Sequence, residues 1–250
     1  MRKFGLIGFP LGHSFSQKYF TEKFSRESIP DCLYQNYPIE NIELFTGLLR
    51  DNELTGLNVT IPYKTQIIPY LTDIDTDAEN VGAVNVVKIT RRPEGNKVIK
   101  GFNSDIYGFR ETIMPYLRKN NEKALILGTG GASLAVGYVF KTLGVPFNKV
   151  SILGEPHTLR YEDLNEDLIR EYRIIVNTTP LGMHPSVGTY PAIPYNHLTK
   201  DHLLYDLVYN PEMTGFLRKG EERGCTLIGG LKMLHAQAER SWRIWNDDSL

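Results

Sequence analysis

Lys64 closes the segment Gly-Leu-Asn-Val-Thr-Ile-Pro-Tyr-Lys that begins at Gly56. Strand side chains alternate, so Asn58 and Thr60 share one face of an extended strand. Pro62 then turns the chain, which lets Lys64 face the same pocket. A lysine beside an amide and a hydroxyl can stabilise an oxygen that gains charge, and can supply its proton. Three more polar groups stand where a buried strand favours apolar ones: Asn85 within Ala83-Val84-Asn85-Val86-Val87, and Asn103 and Asp105 just after residues 99–102. Burying such a group unpaired costs about 1–3 kcal/mol, so each is either paired or aimed at a ligand. The structural alternative places Asn85 at a bulge and has Asn103 or Asp105 cap the following helix.

A second constellation is Gly128-Thr129-Gly130-Gly131-Ala132-Ser133, between an apolar strand and a helix. There, backbone N–H groups and the helix N-terminus can hold a pyrophosphate. The third fingerprint place holds Ser133 rather than glycine or alanine, so the spacing suits either a dinucleotide site or a tight structural turn. The next strand ends Leu153-Gly154-Glu155-Pro156. An acid there can bind a ribose diol and would repel a 2′-phosphate, with Arg160 the basic residue able to swing in; as a solvated loop acid, Glu155 has neither role. Near the start, Gly12-His13-Ser14-Phe15-Ser16 offers two hydroxyls ahead of a helix, suited to a carboxylate or to capping. The six histidines show no HExxH or regular ligand spacing, and no GxSxG elbow or GxxxxGK[ST] loop occurs. Zinc hydrolase, serine esterase and P-loop chemistries lose support, and no metal site is expected.

These residues need a scaffold, and 250 residues at 28.5 kDa suit two modest domains. At 41% hydrophobic and 23% charged, the composition excludes disordered and collagen-like classes. A formal net charge of −1 gives no attraction to nucleic acid or an anionic membrane. Cys32 and Cys225 form no framework, no membrane span or signal peptide is read, and a reducing cytoplasm fits. Apolar stretches alternate with helix-length amphipathic ones, which predicts βα units and an α/β fold with parallel sheets. Strands are expected at residues 3–8, 33–38, 56–61, 83–90 and 97–102, with helices at 16–27, 42–50, 64–70 and 75–81. A linking helix is expected within 103–121. Beyond it, strands are expected at 123–127, 149–153, 173–178, 203–208 and 226–228, and helices at 132–143, 164–172, 214–223 and 231–245. The last helix places Met233, Leu234, Ala238, Trp242 and Trp245 on approximately one face, so it should pack on a core.

Taken together, these segments resemble the shikimate dehydrogenase family from Gly5 to about Trp245. The likeness rests on the serine pair in GFPLGHSFS, on NVTIPYK, GAVN, GFNSDIYGF and GTGGAS, and on NTTPLGM, YDLVYNP and GGLKMLHAQ, in that order. The resemblance implies an α/β substrate-binding catalytic domain over residues 1–103 with the C-terminal helix 235–250, and a Rossmann-like nicotinamide-cofactor domain over 104–234. It places the active site in the intervening cleft. It implies reversible reduction of 3-dehydroshikimate to shikimate, on the route to chorismate and aromatic amino acids, by a monomer or homodimer whose partner is this small molecule. Carried over residue by residue, Ser14 and Ser16 with Tyr209 would hold the substrate carboxylate. Asn58, Thr60, Asn85 and Gln237 would join Lys64 and Asp105 around the ring hydroxyls, with Lys64 as acid/base and Asp105 keeping it placed. Gly128, Thr129, Gly130, Gly131 and Ala132 would contact the pyrophosphate, and Leu207 and Gly230 would border the nicotinamide.

The chain also departs from the family. Gln17 stands where proline is frequent, Lys232 stands where glycine is usual, and Gly154-Glu155-Pro156 replaces the Asn-Arg-Thr that grips a 2′-phosphate. Family membership therefore favours NADP, whereas Glu155 favours NAD. Residues 153–173 also look short for a full crossover. The runner-up is a quinate/shikimate dehydrogenase. A silent shikimate-binding protein would be marked by loss of Lys64 or Asp105, and both are present.

Overall fold

The structure, a computed structural model, describes residues 1–11, 15–117, 122–247 and 249–250. The chain divides into two compact units, Met1–Ser104 with Ala238–Leu250, and Asp105–Gln237. In the first unit the order is β1 (Arg2–Gly8), α1 (Phe15–Arg26), β2 (Cys32–Pro38), α2 (Phe45–Leu48), β3 (Leu54–Val59), β4 (Asp73–Ile74), α3 (Thr76–Val81), β5 (Val86–Arg91) and β6 (Lys97–Phe102). These six strands form one sheet, β2-β1-β3-β5-β6-β4. β1 runs parallel to β2 and β3, while β5 is antiparallel to β3 and β6.

Alternation along the strands separates two apolar layers. On β1, Ile7 enters a core with Phe45, Leu57, Val59 and Ile67, while Phe4 and Leu6 face the opposite side with Phe20, Tyr34 and Trp245. On β3, Leu57 and Val59 belong to the first layer, which leaves Asn58 between them to point the other way.

The second unit holds α4 (Ser104–Ile113), β7 (Ala124–Leu127), α5 (Gly131–Thr142), β8 (Phe147–Ser151), β9 (Thr158–Arg160), α6 (Glu166–Glu171), β10 (Ile174–Asn177), β11 (Leu203–Asp206), α7 (Gly215–Glu221), β12 (Thr226–Ile228) and the start of α8 (Leu231–Asn246). Its sheet is β12-β11-β10-β7-β8-β9, with every pair parallel. β7, β10 and β11 are buried at each residue, as strands covered on both faces must be. From β7 the chain proceeds outward through β8 to β9, then returns to β10 on β7's other side, so the topology switches beside β7. In such sheets ligands bind outside the carboxyl ends of the strands, at the switch. The chain is thus an α/β protein with a mixed sheet and a doubly wound parallel one.

Several expectations need correction. Residues 64–70 form turns and a short 3₁₀ turn at Ile68–Tyr70 rather than a helix, because Pro69 lacks the N–H that a helix would use. Residues 42–50 give a 3₁₀ turn followed by the single turn of α2. β4 and β9 are too short to show a period. Between β8 and β9 only residues 152–157 intervene and no helix forms, whereas parallel strands usually need a dozen or more residues to cross over. α8 runs through the division at Gln237, close to the expected boundary at residue 235, and its later turns bury Ala238, Ile244 and Trp245 in the first unit.

Candidate active site

In the first unit, the carboxyl ends of β1 and β3 lie side by side, and Thr60 is fixed there by its N–H, which donates to the Ile7 carbonyl at 2.9 Å. The chain then turns through Pro62, with the Tyr63 N–H donating to the Thr60 carbonyl at 2.9 Å. Lys64 follows, half-buried, and its carbonyl accepts the Val84 N–H at 2.7 Å. The Val59 N–H donates to the Asn85 carbonyl at 2.9 Å. Two backbone bonds therefore join Asn-Val-Thr-Ile-Pro-Tyr-Lys to Gly-Ala-Val-Asn, segments that are separate in sequence. Ser16 stands in the first turn of α1. Ser14 belongs to 12–14, outside the described residues.

Asn58 and Asn85 make structural bonds that sequence cannot show. Asn58 Oδ1 accepts from the Tyr34 hydroxyl at 2.8 Å, and its amide donates to Ser241 Oγ at 3.0 Å. Asn85 is buried, and its Oδ1 accepts the Ser104 N–H at 2.6 Å. That bond fixes the backbone immediately before Asp105, itself buried. The Asn103 amide donates to the Ala83 carbonyl at 2.8 Å.

In the second unit α4, which carries Asp105, packs on α8 through Gly108: a Cβ there would come within 2.9 Å of the Met233 carbonyl and 3.3 Å of Gln237 Cβ. Gln237 and Tyr209 are half-buried, and burial pushes the Tyr209 phenol up.

The glycine turn follows β7. Gly128 has φ +106°, a left-handed conformation, and a Cβ would press on Thr178 Oγ1 and Thr179 Cγ2 at 3.0 Å. Space beside Gly130 is open, and α5 begins at Gly131. Ser133, the departure from the fingerprint, is buried and returns its hydroxyl to the Gly130 carbonyl at 2.7 Å, closing the turn. Asn177 and Thr178 support it from the next strand: the Thr178 hydroxyl donates to the Leu127 carbonyl at 2.7 Å, and the Asn177 amide donates to Asp206 Oδ1 at 2.9 Å. Asp206 also accepts from Thr214 Oγ1 at 2.6 Å and from the Val208 N–H at 3.0 Å. Burial outweighs these donors and pushes its carboxyl up to about 6. Gly230 lies against the Leu207 carbonyl so closely that a Cβ would overlap it. The open turn, the helix N-terminus and this backbone pair, all at carboxyl ends of one parallel sheet, fit a dinucleotide. The supporting roles of Thr178, Asn177 and Asp206 had no separate sequence signal. They sit in the quoted Asn-Thr-Thr-Pro and Tyr-Asp-Leu-Val motifs, whose polar residues end apolar strands.

Residues 6–87 match the family model for the shikimate dehydrogenase substrate-binding domain. The chain is 36% identical to the shikimate dehydrogenase (NADP(+)) of Methanococcus maripaludis, over 96% of this chain and 90% of that protein. The chain belongs to the shikimate dehydrogenase family. Among solved members, shikimate 5-dehydrogenase from Thermus thermophilus, in complex with NADP(H) and shikimate, superposes with a TM-score of 0.82 at 28% identity, covering 98% of this chain and 94% of that one. Quinate dehydrogenase from Corynebacterium glutamicum, in complex with NAD, superposes at 0.83 with 26% identity, covering 98% and 93%. Among the described residues no helix is long and apolar enough to cross a membrane, and no cluster of three or more His, Cys, Asp or Glu could hold a metal ion.

Proposed function

We propose that the protein is a shikimate dehydrogenase, a nicotinamide-dependent oxidoreductase that reversibly reduces 3-dehydroshikimate to shikimate in the cytoplasm, on the route to chorismate and aromatic amino acids. The reading rests on the bond between Lys64 and Val84, which sets the one lysine of the Asn-Val-Thr-Ile-Pro-Tyr-Lys motif against Gly-Ala-Val-Asn in a chain of this family. The first unit binds substrate and the second binds cofactor.

The nicotinamide dinucleotide, which is NADP in the named shikimate dehydrogenases and NAD in the quinate dehydrogenase complex, supplies or takes the hydride when bound. Gly128, Thr129, Gly130, Gly131 and Ala132 would hold its pyrophosphate, and Leu207 and Gly230 would border its nicotinamide. When the ring ketone is reduced, negative charge grows on its oxygen. The Lys64 ammonium stabilises that charge and delivers a proton to the same oxygen, and in the reverse direction it takes the proton back. Asp105 accepts from the ammonium and from a neighbouring ring hydroxyl, which keeps both in place. Ser14, Ser16 and Tyr209 donate to the substrate carboxylate. Thr60, Asn85 and Gln237 hold ring hydroxyls, and Asn58 acts through its bonds to Tyr34 and Ser241 to hold the strand beneath them.

The test is nicotinamide reduction by the purified protein with shikimate, run with NADP and with NAD and repeated with quinate. Shikimate-driven reduction is expected. Shikimate binding without turnover would show a binding protein instead, and reduction with quinate alone would show a quinate dehydrogenase.

A further inference from the structure

Glu155 follows the carboxyl end of β8, the strand next to β7 and its glycine turn. Thr129, within that turn, donates its hydroxyl to Glu155 Oε1 at 3.1 Å. The Glu155 carbonyl accepts the N–H and the hydroxyl of Thr158, at 3.1 and 2.7 Å, so backbone and side chain are both held. Its second carboxylate oxygen, Oε2, is buried and has no hydrogen-bond partner among the described residues. An acceptor left in that condition calls for a donor. Two cations stand near. Lys149 of β8 feels the Glu155 charge. The Arg160 guanidinium lies over Gly154, where a Cβ would come within 2.7 Å of Nε, and its Nη1 is bound to Glu162 at 3.0 Å.

We propose that Glu155, oriented by Thr129, accepts a hydroxyl of the cofactor's adenosine ribose on Oε2 and resists a 2′-phosphate, so that this chain takes NAD(H) at least as tightly as NADP(H). A ribose hydroxyl brings the proton that Oε2 lacks. A 2′-phosphate brings a charge of about −1.5 to −2 toward a carboxylate that already lacks a partner. Arg160, the cation best placed to receive the phosphate, is engaged by Glu162. The inference deepens the nicotinamide reading above and depends on it.

Calorimetric titration of the full chain with NADH and with NADPH, at one ionic strength, tests it in the wild type and in Glu155→Gln. Glutamine keeps the size and an acceptor for Thr129 but removes the charge. The wild type is expected to bind NADH no more weakly than NADPH, and the variant to shift the ratio of dissociation constants toward NADPH by about tenfold. Competition by ADP-ribose and by its 2′-phosphorylated form repeats the comparison without the nicotinamide. A wild type that prefers NADPH, or a ratio that moves by less than about threefold, overturns the role given to Glu155 and leaves the dehydrogenase reading intact. If neither dinucleotide binds, the nicotinamide reading fails and this inference falls with it.

Discussion

Replacing Asp206 by asparagine should remove a measurable part of the pH dependence of folding. Asp206 has no exposed surface, and burial raises its carboxyl from 3.8 to about 6 despite three donors. The folded state therefore binds this proton more tightly than the unfolded chain, so the favourable contribution is present at low pH and is lost as pH rises from 3.8 through about 6. A gap of about two pH units corresponds to about 3 kcal/mol in total, of which about 1 kcal/mol is lost between about pH 5 and pH 7. In Asp206→Asn, Oδ1 can still accept from the Val208 N–H and the Asn177 amide. The new amide faces Thr214, whose hydroxyl can turn to accept. Asparagine does not titrate, so the stability of the variant relative to wild type should rise by about 1 kcal/mol between those two pH values. Urea unfolding of both proteins at both pH values reads this difference directly, provided the denaturant slopes agree. Parallel profiles, or a wild type that gains on the variant as pH rises, would refute the reasoning that desolvation dominates at Asp206.

Lys64→Ala should lower kcat by about 10²- to 10⁴-fold while shikimate affinity changes little; near-normal kcat would remove Lys64 from proton transfer. Trp245 is buried and donates its indole N–H to the Val87 carbonyl at 3.1 Å. Trp245→Ala should cost about 3–5 kcal/mol in chemical denaturation, and a negligible loss would show that the end of α8 does not support the first unit. Gly230→Ala places a methyl on the Leu207 carbonyl, so calorimetry should show weakened dinucleotide binding with shikimate binding retained. Unchanged dinucleotide affinity would take this backbone pair out of the cofactor site.

The sequence pattern reveals elements wherever a period or an apolar run decides the matter. The strands Lys97–Phe102 and Thr226–Ile228 fall at the expected residues, and Leu231–Asn246 extends the expected helix by one residue. It does not reveal β9, because three residues carry no period and the usual marker of a parallel neighbour, a crossover helix, is missing. Among candidate site residues, the polar groups in strand-like surroundings were visible by type. Their partners were not, because each lies far along the chain: Asn103 meets Ala83, Asn85 meets Ser104, and Asn58 meets Tyr34 and Ser241. Arg160 was visible only as a residue able to swing toward Glu155, and its place over Gly154 follows from the short return between β8 and β9.

One polar chain in the first unit connects packing to chemistry. The Tyr34 hydroxyl binds Asn58 on β3, Asn58 binds Ser241 on α8, Ser241 Oγ lies 3.2 Å from Ser104 Oγ, and Ser104 binds Asn85. Buried hydrogen-bonded networks of this sort favour one arrangement over its apolar competitors, since each displaced member leaves an unpaired group. Trp245 lies one turn beyond Ser241 on α8, so packing of its indole against Phe4 and Phe20 also brings the Ser241 hydroxyl to Asn58 and Ser104. Asn58 precedes Thr60 on the same face of the chain, and Ser104 precedes Asp105. The apolar seat of the last helix therefore helps set two of the residues proposed to meet substrate, although the helix contributes neither of them.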